Sequence, residues 1–187
     1  MRNLLIGFAI LVAGCTSYAL VESGPQKVKA ITIEPPQAWN KVPSMFSPGG
    51  VPTWTADGIS LNSIAFFSQI KDGEPLISGQ KKEGYAVFRA DMLPTELVEI
   101  VESTVAKLYG ATISSKGDLR PLTFGGSPGF EYDFEFLGKD ELPRRAYVAG
   151  TVKNSQLHMV FYQAARMHYY NRHLAGIAQM VKGASID

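Results

Sequence analysis

The sequence predicts an α+β domain, a mainly antiparallel sheet with helices packed on it. Three observations carry that reading. From residue 111 onward apolar and polar residues alternate, most clearly where Phe130, Tyr132, Phe134 and Phe136 interleave with Glu131, Asp133 and Glu135. Two segments repeat at helical spacing instead: Leu97, Val101, Val105 and Leu108, then Tyr170, Leu174, Ile177 and Val181. No long run of alternating strand and helix is present, which argues against a doubly wound parallel sheet.

The elements follow in chain order. Residues 28–33 (VKAITI) are alternating and rich in β-branched side chains, so they predict the first strand, stopped by Pro35 and Pro36. Pro43, Pro48, Gly49, Gly50 and Pro52 break the stretch between Trp39 and Trp54 into loop. A turn at Asp57-Gly58 leads into a strand over 59–69, and loops over 71–75 and 81–84 precede a short strand over 85–88. Pro94, Thr95 and Glu96 open a helix that Gly110 closes. Strands over 111–115 and 119–124 lead to a glycine-rich turn at 125–129 and then to the aromatic strand. Strands 144–153 and 156–164 form a hairpin with Asn154-Ser155 as its two-residue turn. A terminal helix ends at Gly183, and no internal repeat is visible.

Composition bounds the function. The 187 residues are 45% hydrophobic and 19% charged, with a formal net charge of +1. A chain of this size buries roughly 70% of its unfolded surface and needs neither metal nor disulfide to hold a core. Its one cysteine permits no internal disulfide. Near-neutral charge excludes nucleic acid as a partner, because phosphate binding needs an excess of Lys and Arg.

The amino end carries an address. Arg2 followed by apolar residues 4–13 has the basic and apolar regions of a secretory signal, and the run is half the roughly twenty residues that span a bilayer. Leu11-Val12-Ala13-Gly14-Cys15 resembles the lipobox of bacterial lipoproteins. That resemblance implies that the Cys15 thiol receives a diacylglycerol, that the bond before it is cut, and that the new amino group is acylated. Residues 1–14 are then a signal peptide, 15–27 a lipidated terminus and tether, and 28–187 one globular domain. Two or three acyl chains anchor a protein firmly, at about 0.8 kcal/mol per buried methylene. Thr16 stands where an Asp would imply retention at the inner membrane, so the resemblance implies a cell-envelope protein at the outer membrane, facing the periplasm. The implied partners are the membrane, through the anchor, and an envelope protein.

A second resemblance covers most of residues 28–186. The order of elements, the turn and strand Gly125-Gly126-Ser127-Pro128-Gly129-Phe130-Glu131-Tyr132, the hairpin, and the final helix running into Ala184-Ser185-Ile186 look like the PsbP/Mog1/DcrB-like α/β/α sandwich. The proline-rich segment around 35–56 departs from that pattern. The resemblance implies a non-catalytic binding or assembly module.

The residues themselves offer few routes to chemistry. There is no G-x-S-x-G, P-loop or H-E-x-x-H pattern, and no cofactor is expected. His168 and His173 are five apart, about 140° around a helix, so they do not share a face as metal ligands and no metal is expected. A basic and aromatic run over 166–173 suits either anionic headgroups and glycans or the exposed start of a helix.

Hairpin pairing yields the best candidate surface. An Asn154-Ser155 turn sets Tyr147 opposite Tyr162 and Thr151 opposite His158. A turn between 137 and 143 sets Glu135 opposite Arg145 and Asp133 opposite Tyr147. One sheet face then holds Glu131, Asp133, Glu135, Arg145, Tyr147, Thr151, His158 and Tyr162, while Phe130, Tyr132, Phe134, Val148, Val152, Leu157, Met159 and Phe161 line the other as core. Of the mixed face, Glu131, Asp133, Tyr147, Thr151, His158 and Tyr162 are the candidate binding residues. The alternative to a binding module is a periplasmic hydrolase or small-ligand binder around Asp133, Tyr147 and His158. A deep pocket at those three favours that alternative, and a helix-covered face removes it.

Overall fold

A computed structural model describes residues 18–77 and 84–187. The signal-like segment, Cys15 and residues 78–83 lie outside the described residues. Among the described residues twelve strands and two α-helices, with a 3-10 turn at Pro48–Gly50, run in the order β1 (Ala19–Val21), β2 (Gln26–Val28), β3 (Ile31–Ile33), β4 (Trp39–Lys41), β5 (Thr53–Thr55), β6 (Asn62–Lys71), α1 (Pro94–Tyr109), β7 (Thr112–Lys116), β8 (Arg120–Phe124), β9 (Ser127–Leu137), β10 (Pro143–Lys153), β11 (Gln156–Ala165), α2 (Tyr169–Lys182) and β12 (Ser185–Ile186).

Nine of the strands form one antiparallel sheet in the order β1-β4-β5-β6-β11-β10-β9-β7, with β8 also paired to β9. The register is the one the pattern predicts: Tyr147 opposes Tyr162, Thr151 opposes His158, Glu135 opposes Arg145 and Asp133 opposes Tyr147. Alternation then sorts the two faces. Phe67, Phe130, Phe134 and Phe161 pack beneath the Leu97, Val101 and Val105 stripe of α1. Trp39, Trp54, Phe66, Tyr147, Tyr162 and Val160 pack on the other side with Ile177 and Val181 of α2. Beside α2 lies a second, three-stranded sheet, β12-β3-β2. The result is an α/β/α sandwich, as expected from the sequence.

Both helices end where the local chemistry dictates. Leu93 N–H donates to the Glu96 carboxylate at 2.8 Å, which satisfies one orphan donor of α1, and Gly110 closes the helix in the left-handed region at φ 56. Among the described residues no helix is long and apolar enough to cross a membrane.

Five local expectations need correction. Residues 28–33 are a hairpin and not one strand, because Lys29 adopts φ 55 and turns β2 back onto β3. Ala19–Val21 and Gln26–Val28, which fall within the expected tether, are strands that pair with β4 and β3. The proline-rich stretch contains β4 and β5, placed on the outer part of the sheet where three-residue pairings leave room for prolines between them. Residues 85–88 give only a bridge between Pro75 and Val87, and the turn before β9 is the two-residue Gly125-Gly126.

The β10–β11 hairpin has φ 52 at Asn154 and φ 58 at Ser155. Both central residues are left-handed, as a type I′ turn requires, and asparagine tolerates that region better than serine. Ser155→Gly is expected to raise unfolding free energy by about 1 kcal/mol. The check is an upward shift of the denaturation midpoint with an unchanged slope.

Candidate functional site

The mixed face of the sheet is covered. The second helix and the small sheet lie over β10 and β11, where Tyr147, Thr151, His158 and Tyr162 are all buried. Cover thins toward β9, so Glu131, Asp133 and Glu135 keep part of their surface in water.

Each candidate residue is occupied by an internal partner. Tyr147 O–H donates to Glu131 at 2.8 Å, and Arg120, opposite Glu131 in the β8–β9 register, donates to the same carboxylate at 2.9 Å. Burial alone would raise the Glu131 carboxyl, but the hydrogen bonds from Arg120 and Tyr147 and the Arg120 charge hold it below its ordinary range. Burial, reinforced by the Glu131 carboxylate, pushes the Tyr147 phenol up, away from service as a base. Asp133 takes a hydrogen bond from Arg145, whose guanidinium also sits 4.9 Å from the centre of the Tyr170 ring. Arg145 thus bonds diagonally to Asp133 instead of to the Glu135 opposite it, and Glu135 pairs with Arg166 at 3.1 Å.

Thr151 donates to the Pro128 carbonyl at 2.6 Å. Tyr162 O–H lies 3.0 and 3.1 Å from the carbonyls of Tyr169 and Tyr170, which fixes the start of α2 on β11. His158 meets Ser68 on β6, with 3.1 Å between Nδ1 and Oγ, and Ser68 in turn accepts the Ala30 N–H at 3.3 Å. A serine beside a histidine is the start of a nucleophilic pair, yet both are buried and Ser68 is engaged with the β2–β3 turn. The contact ties the small sheet to the large one. Burial, and next the Lys153 charge, lower the His158 pKa.

Asp133, Tyr147 and His158 therefore share a face without converging on a common point. The hollow beneath α1, those beside Pro35 and Pro36, and the one beside Lys116 and Gly117 are lined by none of the three. Tyr147 and His158 are buried, and Asp133 is only partly exposed.

Three clusters escape sequence reasoning. His173 on α2 places Nε2 at 2.6 Å from Asp57 and Nδ1 at 2.8 Å from the Gln37 amide. The amide must donate, so Nδ1 accepts and Nε2–H points to the carboxylate. Burial would raise the Asp57 carboxyl, but the hydrogen bond from His173, the Arg172 charge and the hydrogen bond from Asn62 lower it overall. The available signal was that His173 lies on the apolar stripe of α2, between Tyr170 and Ile177.

On the other side of the sheet, Glu102 of α1 accepts from Tyr132 of β9 and from Lys116 of β7, each at 2.5 Å. Beneath the same helix lies a cavity of about 30 Å³ lined by Thr53, Ser63, Ala65, Phe67, Thr104 and Gln163, among others. Gln163 donates to Ser63 and Tyr109 at 3.2 and 2.8 Å, while Thr104 Oγ1 and Gln163 Oε1 have no hydrogen-bond partner among the described residues.

The basic and aromatic run over 166–173 splits up. Met167 is exposed, Tyr170 and His173 are buried, and Arg166 and Arg172 pair with Glu135 and Asp57. Among the described residues no group of three His, Cys, Asp or Glu side chains is placed to hold a metal ion.

Comparison with known proteins places the fold. No family model matches the chain. No curated protein matches it by sequence. The solution structure of the cyanobacterial PsbP protein CyanoP from Synechocystis is similar to it with a TM-score of 0.55 at 13% identity, over 96% of this chain and 98% of that one. LpqN, involved in cell envelope biogenesis of Mycobacterium tuberculosis, aligns over 94% of this chain and 87% of its own at 13% identity, with a TM-score of 0.39. The domain has a PsbP-like fold.

Two outcomes are expected of this network. A histidine whose pKa is lower folded than unfolded takes up its proton more readily when unfolded, so His158 costs stability as pH falls below its ordinary value near 6.5. Asp57, whose carboxyl is lowered, withdraws its contribution only below about 3.8, so the two windows separate. Urea midpoints measured between pH 8 and 5 should fall in the wild type and fall less in His158→Asn. Thr104→Val keeps the side-chain shape and removes an unpaired buried hydroxyl, and is expected to raise unfolding free energy by about 1 kcal/mol. An equal or lower midpoint contradicts it.

Proposed function

We propose that the protein is a membrane-anchored lipoprotein of the bacterial envelope whose periplasmic PsbP-like domain serves as a non-catalytic binding or assembly module. Anchorage is read from Leu11-Val12-Ala13-Gly14-Cys15, with the acyl chains on Cys15 and Thr16 favouring the outer membrane. The observation that carries the non-catalytic reading is the pairing on the mixed face. Tyr147 with Glu131, Arg145 with Asp133 and His158 with Ser68 leave those six groups engaged with one another. A hydrolase needs an acid and a base free to reach substrate, and these groups are bonded to one another instead. The reading also suits a rigid domain that presents its outer surface to an envelope protein.

Mass measurement of the mature amino terminus and membrane fractionation test the anchor. The wild-type chain is expected to begin at Cys15, carry acyl chains and sediment with membranes. Cys15→Ser is expected to keep its leader and lose the acyl mass. Unchanged processing and unchanged acylated mass in Cys15→Ser overturn the proposal.

A further inference from the structure

Four large apolar side chains stand exposed at one end of the large sheet. Tyr18 and Leu20 are 43% and 58% exposed, and Met45 and Phe46 are 71% and 53% exposed. Register and chain order place them on or just beyond the outer strands β1 and β4. Ala19 opposes Lys41, so Tyr18 lies beside Val42, and the chain then turns tightly where Phe46 N–H donates to the Pro43 carbonyl at 2.9 Å. The patch thus surrounds the point at which the described chain enters the domain, on the edge strand β1.

The length of chain before that point decides what meets the patch. Cys15 precedes Ala19 by four residues, which fully extended reach at most about 14 Å. A partner domain is roughly 30 Å across, so it does not fit between an acylated Cys15 and β1. A bilayer surface does.

We infer that Tyr18, Leu20, Met45 and Phe46 form a membrane-docking surface that seats in the interfacial region of the bilayer holding the Cys15 acyl chains. The inference rests on the lipidation of Cys15. Its chemistry is that of the interface: tyrosine seats its ring at headgroup level, leucine, methionine and phenylalanine supply apolar area for the acyl boundary, and an exposed apolar patch marks an interaction site. Exposed Lys41, paired to Ala19, adds a cation at the same edge for anionic headgroups. Seated this way, the domain presents the opposite edge, β7, away from the lipid.

The test uses the full acylated protein in vesicles of phosphatidylethanolamine and phosphatidylglycerol, with a nitroxide at position 45 (Met45→Cys) or at position 115 (Ser115→Cys). Mass measurement first establishes that Cys15 carries its acyl chains. The position-45 label is expected to show a several-fold higher ratio of oxygen to nickel-chelate accessibility than the label on β7. Leu20→Ser with Phe46→Ser should lower that ratio while the acyl mass stays. Equal accessibility at the two positions in acylated protein overturns the docking surface and leaves the anchor standing. Shielding at position 45 with dipolar broadening that grows with protein density means a second copy covers the patch, and overturns it too. Absence of acyl mass overturns the anchor and the docking surface together.

Discussion

A charged side chain on a covered strand must bring its own counterpart, and most of the polar architecture follows from that requirement. The large sheet has helices on both sides, so side chains on each face must be apolar or internally matched. Glu131, Asp133 and Glu135 alternate with the aromatic core of β9, and each has an arginine within reach: Arg120, Arg145 and Arg166. Glu102 meets the same demand on the other face through Tyr132 and Lys116. Their role is to give each carboxylate a partner as the strand is covered. Because desolvation offsets much of the attraction, such pairs specify register more than they stabilise it.

The central part of the fold was legible in the sequence. Phe130 through Phe136 alternate without interruption, and with Asn154-Ser155 taken as a two-residue turn and Glu135 set opposite Arg145, the expected pairing of β9, β10 and β11 matches the observed register. The outer strands were not legible. Val28 and Ile31 read as members of one alternating run because nothing about Lys29 announces a left-handed turn. Three-residue strands such as β1 and β4 are held by backbone bonds from their neighbours and carry no periodicity of their own.

The candidate face was legible in membership but not in fate. Which residues lie together follows from period two, a property of the chain. Whether α2 lies over them depends on where a helix at the far end of the sequence docks, and alternation contains no information about that. Asp57 and His173 show the same limit across 116 residues: each looks ordinary locally, one in an Asp-Gly turn and the other on a helix stripe. The PsbP-like arrangement brings them to 2.6 Å.

The position of β12 has a consequence for how the chain acquires its shape. Residues 185 and 186 complete a sheet begun by β2 and β3, and Asp187 N–H closes on the Ala30 carbonyl at 3.1 Å. The β2–β3 hairpin therefore waits for residues 185–187 before its third strand exists. Such a pairing joins segments more than 150 residues apart and carries a high loop-closure cost, so the layer that contains α2 closes late in folding, once residues 185–187 have reached β3.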